Sequence, residues 1–236
     1  MIVRTDLSPP LFITQPDHAA LAGRIMDRWL GPALRDSPRK DEILMAVREH
    51  DNGWAEVDAA PVVDSESGRL LDFVHVPLDV RQGVWPRGIA RLAHTPYAAA
   101  LVAQHALHIY GRKRRDREWA DFFGQMERTR AQHLRRSGAG SLNDLQRDYA
   151  FVRVADLLSL GFCQGRREPV TDEFGYDLRV EDGDVIISPD PFGGAPVPLA
   201  IRGREIPDRS FSTEADAFEA LNAAREATLT GVARGV

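Results

Sequence analysis

Asp156 falls in the middle of an apolar stripe, and that placement restricts the fold more than any other feature of the chain. Ser141 and Asp144 form an N-cap pair, and Leu145, Tyr149, Val152 and Asp156 follow at steps of four, three and four. That spacing puts them on one face of a helix, for which Gly161 reads as the stop. An ionised carboxylate buried on such a face costs several kcal/mol unless a cation meets it. Three cations are open on this reading: the side chain of Arg153, that of Arg24, or a bound metal ion.

Other helices carry polar side chains on their apolar faces in the same way. Thr14 caps a helix with Pro16 and Asp17 in its first turn, and His18 lies in line with the stripe Leu21, Ile25, Met26 and Trp29 until Gly31-Pro32 ends it. Residues 40–51, KDEILMAVREHD, place His50 after Ile43, Leu44 and Val47, with Asp51 next to it where Asn52-Gly53 turns the chain. Thr95-Pro96 opens a helix whose face holds Ala98, Leu101, Val102, His105 and Ile109. Asp116 opens another, with Trp119, Phe122, Phe123 and Met126.

The rest is less regular. Between Trp54 and about His94 the prolines at 61, 77 and 86 and glycines at 68, 83 and 88 interrupt every period, so this stretch reads as a long connection, either a cover over the site or an ordered surface loop with solvated acids. After Gly165, DLRVEDGDVIISP reads as a hairpin around Asp182-Gly183, and VPLAIRGREI as a third strand or second hairpin. Residues 213–229 read as a last helix carrying Phe218, Leu221 and Ala224. The expected fold is therefore mainly α: a helical body over residues 1–164, with a small C-terminal antiparallel β sheet and a final helix over 165–236 packed on that body.

Composition narrows the function. Hydrophobic residues make up 43% and charged residues 28%, the values of a chain that builds a core. The net charge of -5 gives no general reason to bind nucleic acid or an anionic membrane. The basic run GRKRRDR sits at a helix C-terminus, where cations offset exposed carbonyls. No stretch approaches the ~18 apolar residues of a membrane span. A single cysteine, Cys163, and an N-terminus without a charged region followed by an apolar run point to the cytoplasm. The strings GAGS (138–141) and PFGGAP lack a phosphate-loop context and read as turns, and no GxSxG elbow exists.

Two imidazoles and two carboxylates from three helices make a donor set suited to a divalent transition metal. The order His18, then His50-Asp51 at a helix end, then Asp156 within VRVADLLSL resembles the HD superfamily of metal-dependent phosphohydrolases. More closely, QPDHAALAGRI, ILMAVREHDNGW and AALVAQH resemble an uncharacterised bacterial family with an HDxGW signature. The resemblance implies an HD-like helical bundle in which His18, His50, Asp51 and Asp156 hold one or two ions of Fe, Mn, Zn, Co or Mg. It also implies further histidines for a second metal or the substrate, with His105 foremost, then His75 and His94.

Asp58 is a candidate acceptor behind a ligating imidazole, and Trp54 is either an aromatic wall for an organic substrate or a structural plug against the first helix. In catalysis Asp51 would orient or deprotonate water, and His105 would stabilise charge or donate a proton. The expected activity is metal-dependent hydrolysis of a small phosphorylated metabolite, by a monomer or homodimer. Two other classes stay open: a di-iron oxygenase, and a binding or structural protein with a satisfied polar cluster. Asn52-Gly53-Trp54 departs from phosphohydrolases that place a basic side chain after the pair.

Overall fold

A computed structural model of the chain describes residues 1–138, 140–166 and 168–236, so Ala139 of the GAGS turn lies outside the described residues. Two short strands come first, β1 (Ile2–Arg4) and β2 (Leu11–Ile13). The helical part then runs α1 (Gln15–Met26), α2 (Pro32–Arg35), α3 (Lys40–Glu49), α4 (Ala55–Ala59), α5 (Leu78–Arg91), α6 (Pro96–Ile109), α7 (Ala120–Arg136) and α8 (Leu142–Gln164). It is followed by β3 (Val170–Thr171), β4 (Asp177–Glu181), β5 (Asp184–Ser188), β6 (Val197–Glu205), α9 (Glu214–Ala223) and β7 (Glu226–Gly235).

The organising helix is α8. Between Phe151 and Leu158 almost every residue is buried, so α8 has apolar surface on all sides and needs neighbours all round. It packs on α1, α3 and α6 along one side, and β1, β4 and β5 cover another. Ser141 caps its start by accepting from the Asp144 N–H, and Gly165, at φ 60°, closes its end. The helix therefore runs past Gly161, because one glycine within so much buried surface does not stop a helix.

The seven strands form one mixed sheet in the order β1-β2-β6-β7-β5-β4-β3, curled into a half-barrel. All pairings are antiparallel except β5 with β7, which is parallel. Asp182 (φ 49°) and Gly183 (φ 87°) make the tight β4–β5 turn, where left-handed backbone at both central residues is required. In β6 the alternation is direct: Val197, Leu199 and Ile201 are buried between exposed Pro198, Ala200 and Arg202.

This sheet corrects the mainly α, HD-like bundle expected from the sequence and rules out an all-α fold: about half the chain is helical, and the sheet joins the two ends of the chain. Residues 1–13 give two three-residue strands, too short for any period to show. The expected last helix stops at Ala223, and residues 226–235 are strand β7, held by β6 on one side and β5 on the other. The irregular stretch also hides a helix, since α5 runs from Leu78 to Arg91 with Pro86 inside it. No helix among the described residues is long and apolar enough to cross a membrane.

Candidate metal centre

His18 is the fourth residue of α1. Thr14 fixes the start of that helix, its hydroxyl accepting from the Asp17 N–H at 3.1 Å. His50 is the C-cap of α3, and Asp51 follows with φ -113° and ψ 17°, which swings its carboxylate back beside the imidazole before a single 3-10 turn, Asn52–Trp54. That turn is pressed onto α5: a Cβ on Gly53 would meet the Val84 carbonyl oxygen at 2.0 Å. Arg91 donates to the Asn52 carbonyl and Arg87 to that of Gly53, at 3.2 Å for Arg87. Glycine at position 53 is thus what lets the turn lie flat on the helix and fix Asp51.

These elements bring four side chains to one buried point. His18 Nε2 and His50 Nε2 are 3.1 Å apart. Asp51 Oδ2 lies 3.4 Å from the first and 3.5 Å from the second, and Asp156 Oδ1 lies 3.4 and 3.6 Å from them. Ligand bonds of about 2.1 Å around a tetrahedral ion put neighbouring donor atoms roughly 3.4 Å apart. Five of the six edges of such a tetrahedron are these distances.

The hydrogen bonds behind the imidazoles settle which nitrogen faces inward. His50 Nδ1 is 2.8 Å from the Val47 carbonyl, which can only accept, so Nδ1 carries the proton. Ser159 Oγ reaches the Ala155 and Asp156 carbonyls at 3.0 and 3.2 Å, which takes up its one hydrogen. It therefore accepts from His18 Nδ1, 2.8 Å away. In this network both Nε2 atoms present lone pairs to each other and to two carboxylates, an arrangement that repels unless a cation sits among them.

The titration behaviour reflects the same need. Burial pulls an imidazole down, but Asp156 and Asp51 outweigh it and hold His18 well above its usual 6.5. Burial pushes carboxylates up, yet His18 and His50 hold Asp156 well below the usual range, and His50 and His18 also lower Asp51. A proton on His18 meets the need when no metal does.

His105, on α6, lies at the edge of the cluster. Its Nε2 is 3.9 Å from Asp156 Oδ2, and its Nδ1 is 3.0 Å from the Tyr149 hydroxyl. Burial pushes it down to about 3, so the ring is neutral. His50, His105 and Asp156 form a second close group of potential ligands that shares His50 with the first. Arg153 donates to Asp156 Oδ2 at 3.0 Å, whereas Arg24 turns away to the Ala200 carbonyl.

The remaining sequence candidates are dispersed. His75 is on the surface, paired with Asp72 at 2.6 Å, and His94 is exposed. Asp58 is buried but faces elsewhere, accepting from the Met1 amino group at 2.5 Å and the Gln15 N–H at 2.6 Å; its lone pairs are used there, not behind an imidazole. Trp54 is buried and lines a cavity of about 280 Å³ whose floor is His18, Asp51, His105 and Asp156. The stretch read as a cover supplies Phe73, Val74, Arg81 and Trp85 to the wall. Sequence reasoning missed Ser159, although its place three residues after Asp156 on the same helix face was a usable signal.

The chain is thus an α/β protein with a buried two-histidine, two-aspartate centre at the floor of a cavity. A family model described as "Protein of unknown function (DUF3891)" matches residues 1–208, and the chain belongs to that family. The description names neither the HD superfamily nor an HDxGW signature, and nothing in it supports a hydrolase or HD-domain label. No curated protein and no solved structure matches the chain.

Proposed function

We propose that the protein is a metal-dependent hydrolase of a small phosphorylated molecule. The observation that carries this is the pair of Nε2 lone pairs 3.1 Å apart, flanked by two buried carboxylate oxygens. His18, His50, Asp51 and Asp156 would hold the ion, which when bound supplies Lewis acidity and a water of lowered pKa. The ordered set His18, His50-Asp51 and Asp156, which resembles that of HD phosphohydrolases, adds support although the sheet does not belong to an all-α bundle.

The residues of the chain do the rest. Asp51 is positioned to orient an attacking water and accept its proton, since its carboxylate lies on the cavity floor. Arg153, 3.0 Å from Asp156 and on the cavity wall, offers a positive charge to a phosphoryl oxygen. His105 is neutral and held between Asp156, 3.9 Å from its Nε2, and the Tyr149 hydroxyl, 3.0 Å from its Nδ1, which suits it to hydrogen-bond at the edge of the centre rather than to take up a proton. The buried aromatic wall of Trp54 and Trp85 keeps bulk water from the floor.

The test pairs elemental analysis of protein purified without added metal with phosphate release from a panel of phosphorylated metabolites under Mn, Fe, Co or Mg. Stoichiometric metal and release that Asp51→Asn abolishes are expected. Bound metal with no phosphate released from any member overturns the reading. Two irons per chain with oxygen uptake would instead support a di-iron oxygenase, for which the His50, His105 and Asp156 group is the relevant feature.

A further inference from the structure

The cavity wall contains a mismatch that the metal centre does not use. Arg81 Nε is buried without a hydrogen-bond partner among the described residues, and so is Gln15 Oε1. Both side chains line the same cavity as His18 and Asp156. A buried guanidinium N–H and a buried amide oxygen each lose water on folding, and leaving either unpaired is costly. Such a group calls for a partner from outside the chain, and one that lines a cavity can take it from a ligand, an ion or a bound water. The two are complementary in kind: one is a charged donor, the other a neutral acceptor.

The mouth has a different chemistry. Val74 and Ile109, 48% and 39% exposed, line the cavity together with Phe73 and Leu160, so four apolar side chains converge there rather than lie scattered. The rings of Trp54, Trp85 and Tyr110 line the same cavity. At about 280 Å³ the space holds a small molecule and excludes a polymer chain.

We propose that Arg81 and Gln15 are the substrate-recognition pair of this cavity. Arg81 takes an anionic oxygen and Gln15 a hydroxyl or amine hydrogen of one small amphiphile, whose apolar body lies between Trp54 and the Val74–Ile109 mouth. The substrate class is a phosphate monoester of a small aromatic or branched alcohol that bears a second, hydrogen-bond-donating group. This inference rests on the hydrolase reading only for the choice of a phosphate ester as ligand.

The experiment titrates the metal-loaded full chain by calorimetry with inorganic phosphate, phenyl phosphate and 2-hydroxyphenyl phosphate, following metal content and melting temperature in the same samples. Phenyl phosphate should bind at least about tenfold tighter than inorganic phosphate, through the apolar body. Arg81→Gln should weaken phenyl phosphate by about tenfold or more, as expected for a charge-assisted hydrogen bond, with metal content unchanged. Arg81→Lys keeps the charge but not the Nε–H, and should recover only part of the loss. The hydroxyl analogue should gain about two- to tenfold over phenyl phosphate in the wild type and lose that gain in Gln15→Leu.

Equal affinity for inorganic and phenyl phosphate, or Arg81→Gln binding like the wild type with an unchanged melting temperature, overturns the proposal. If no ester is hydrolysed but binding still depends on Arg81, the hydrolase reading falls and the recognition pair stands. If esters are hydrolysed with a KM indifferent to Arg81→Gln, the pair falls and the hydrolase reading stands.

Discussion

Ser159→Ala tests how the centre is built more sharply than loss of a ligand does. The Ser159 side chain is fully buried, and its oxygen accepts from His18 Nδ1 at 2.8 Å. Removing it leaves that buried N–H with at most the weak sulfur acceptor of Cys163, a loss of about 1–3 kcal/mol. The His18 ring is then free to place its proton on Nε2, where it blocks the metal. Loss of a group that orients a ligating histidine lowers metal affinity about 10–100-fold, which is about 1.4–2.8 kcal/mol.

The two figures agree, because they describe one hydrogen bond from its two ends. The assay is competition against a coloured chelator at fixed pH with Mn, Co and Zn, together with the melting temperature of metal-free protein to show that the variant folds. A folded Ser159→Ala that binds all three metals within about twofold of wild type would refute this account of the tautomer.

Other outcomes follow from the same geometry. If metal binds the folded state only, metal at about a hundred times its Kd stabilises by about 2.7 kcal/mol, so a chelator should lower the melting temperature by roughly 5–11 °C. His50→Ala and Asp156→Ala should each abolish that response in thermal melts. His18 holds its proton more tightly folded than unfolded, where its value is 6.5, so in metal-free protein the stability from this proton is complete below about pH 6.5 and lost as pH climbs through the raised folded value. Metal takes the same lone pair, so its affinity should rise over that window and its binding should release protons, as calorimetry in buffers of different ionisation enthalpy would show. Gly53→Ala would force the turn off α5, because the Val84 carbonyl lies 2.0 Å from the new Cβ, and metal affinity should fall along with the melting temperature.

The site was more legible in the sequence than the sheet, for a physical reason. Helical period is local, so Ile43, Val47 and His50, or Val152 and Asp156, announce a shared face within one or two turns, and a polar residue on that face stands out. Strand pairing here is long-range: Leu11 pairs with Glu205 and Val185 with Ala233, and no local pattern records such a partner. In β7 the alternating positions Ala227, Leu229, Gly231 and Ala233 are mostly small, which let the sequence pass for a continuation of α9. Gly231 is small because a Cβ there would strike the Gly183 carbonyl oxygen at 2.3 Å. Pro86, Gly83 and Gly88 disguised α5, yet Gly88 is where α5 lies against the Asn52–Trp54 turn. Asp58 shows the opposite limit: its burial was readable, but its partners, the Met1 amino group and the Gln15 N–H, were not.

Strand β7 stands between β6 and β5, so it is the hinge pin on which the two halves of the sheet are hung. The family match ends at residue 208, eighteen positions before that strand begins at Glu226. A chain cut at the family boundary would keep every residue of the candidate metal centre and still leave the edges of β6 and β5 bare, with their backbone donors and acceptors open to a neighbouring molecule. Expression of the matched region alone would therefore yield self-association, and an inactive preparation of that kind would say nothing about the chemistry at the cavity floor.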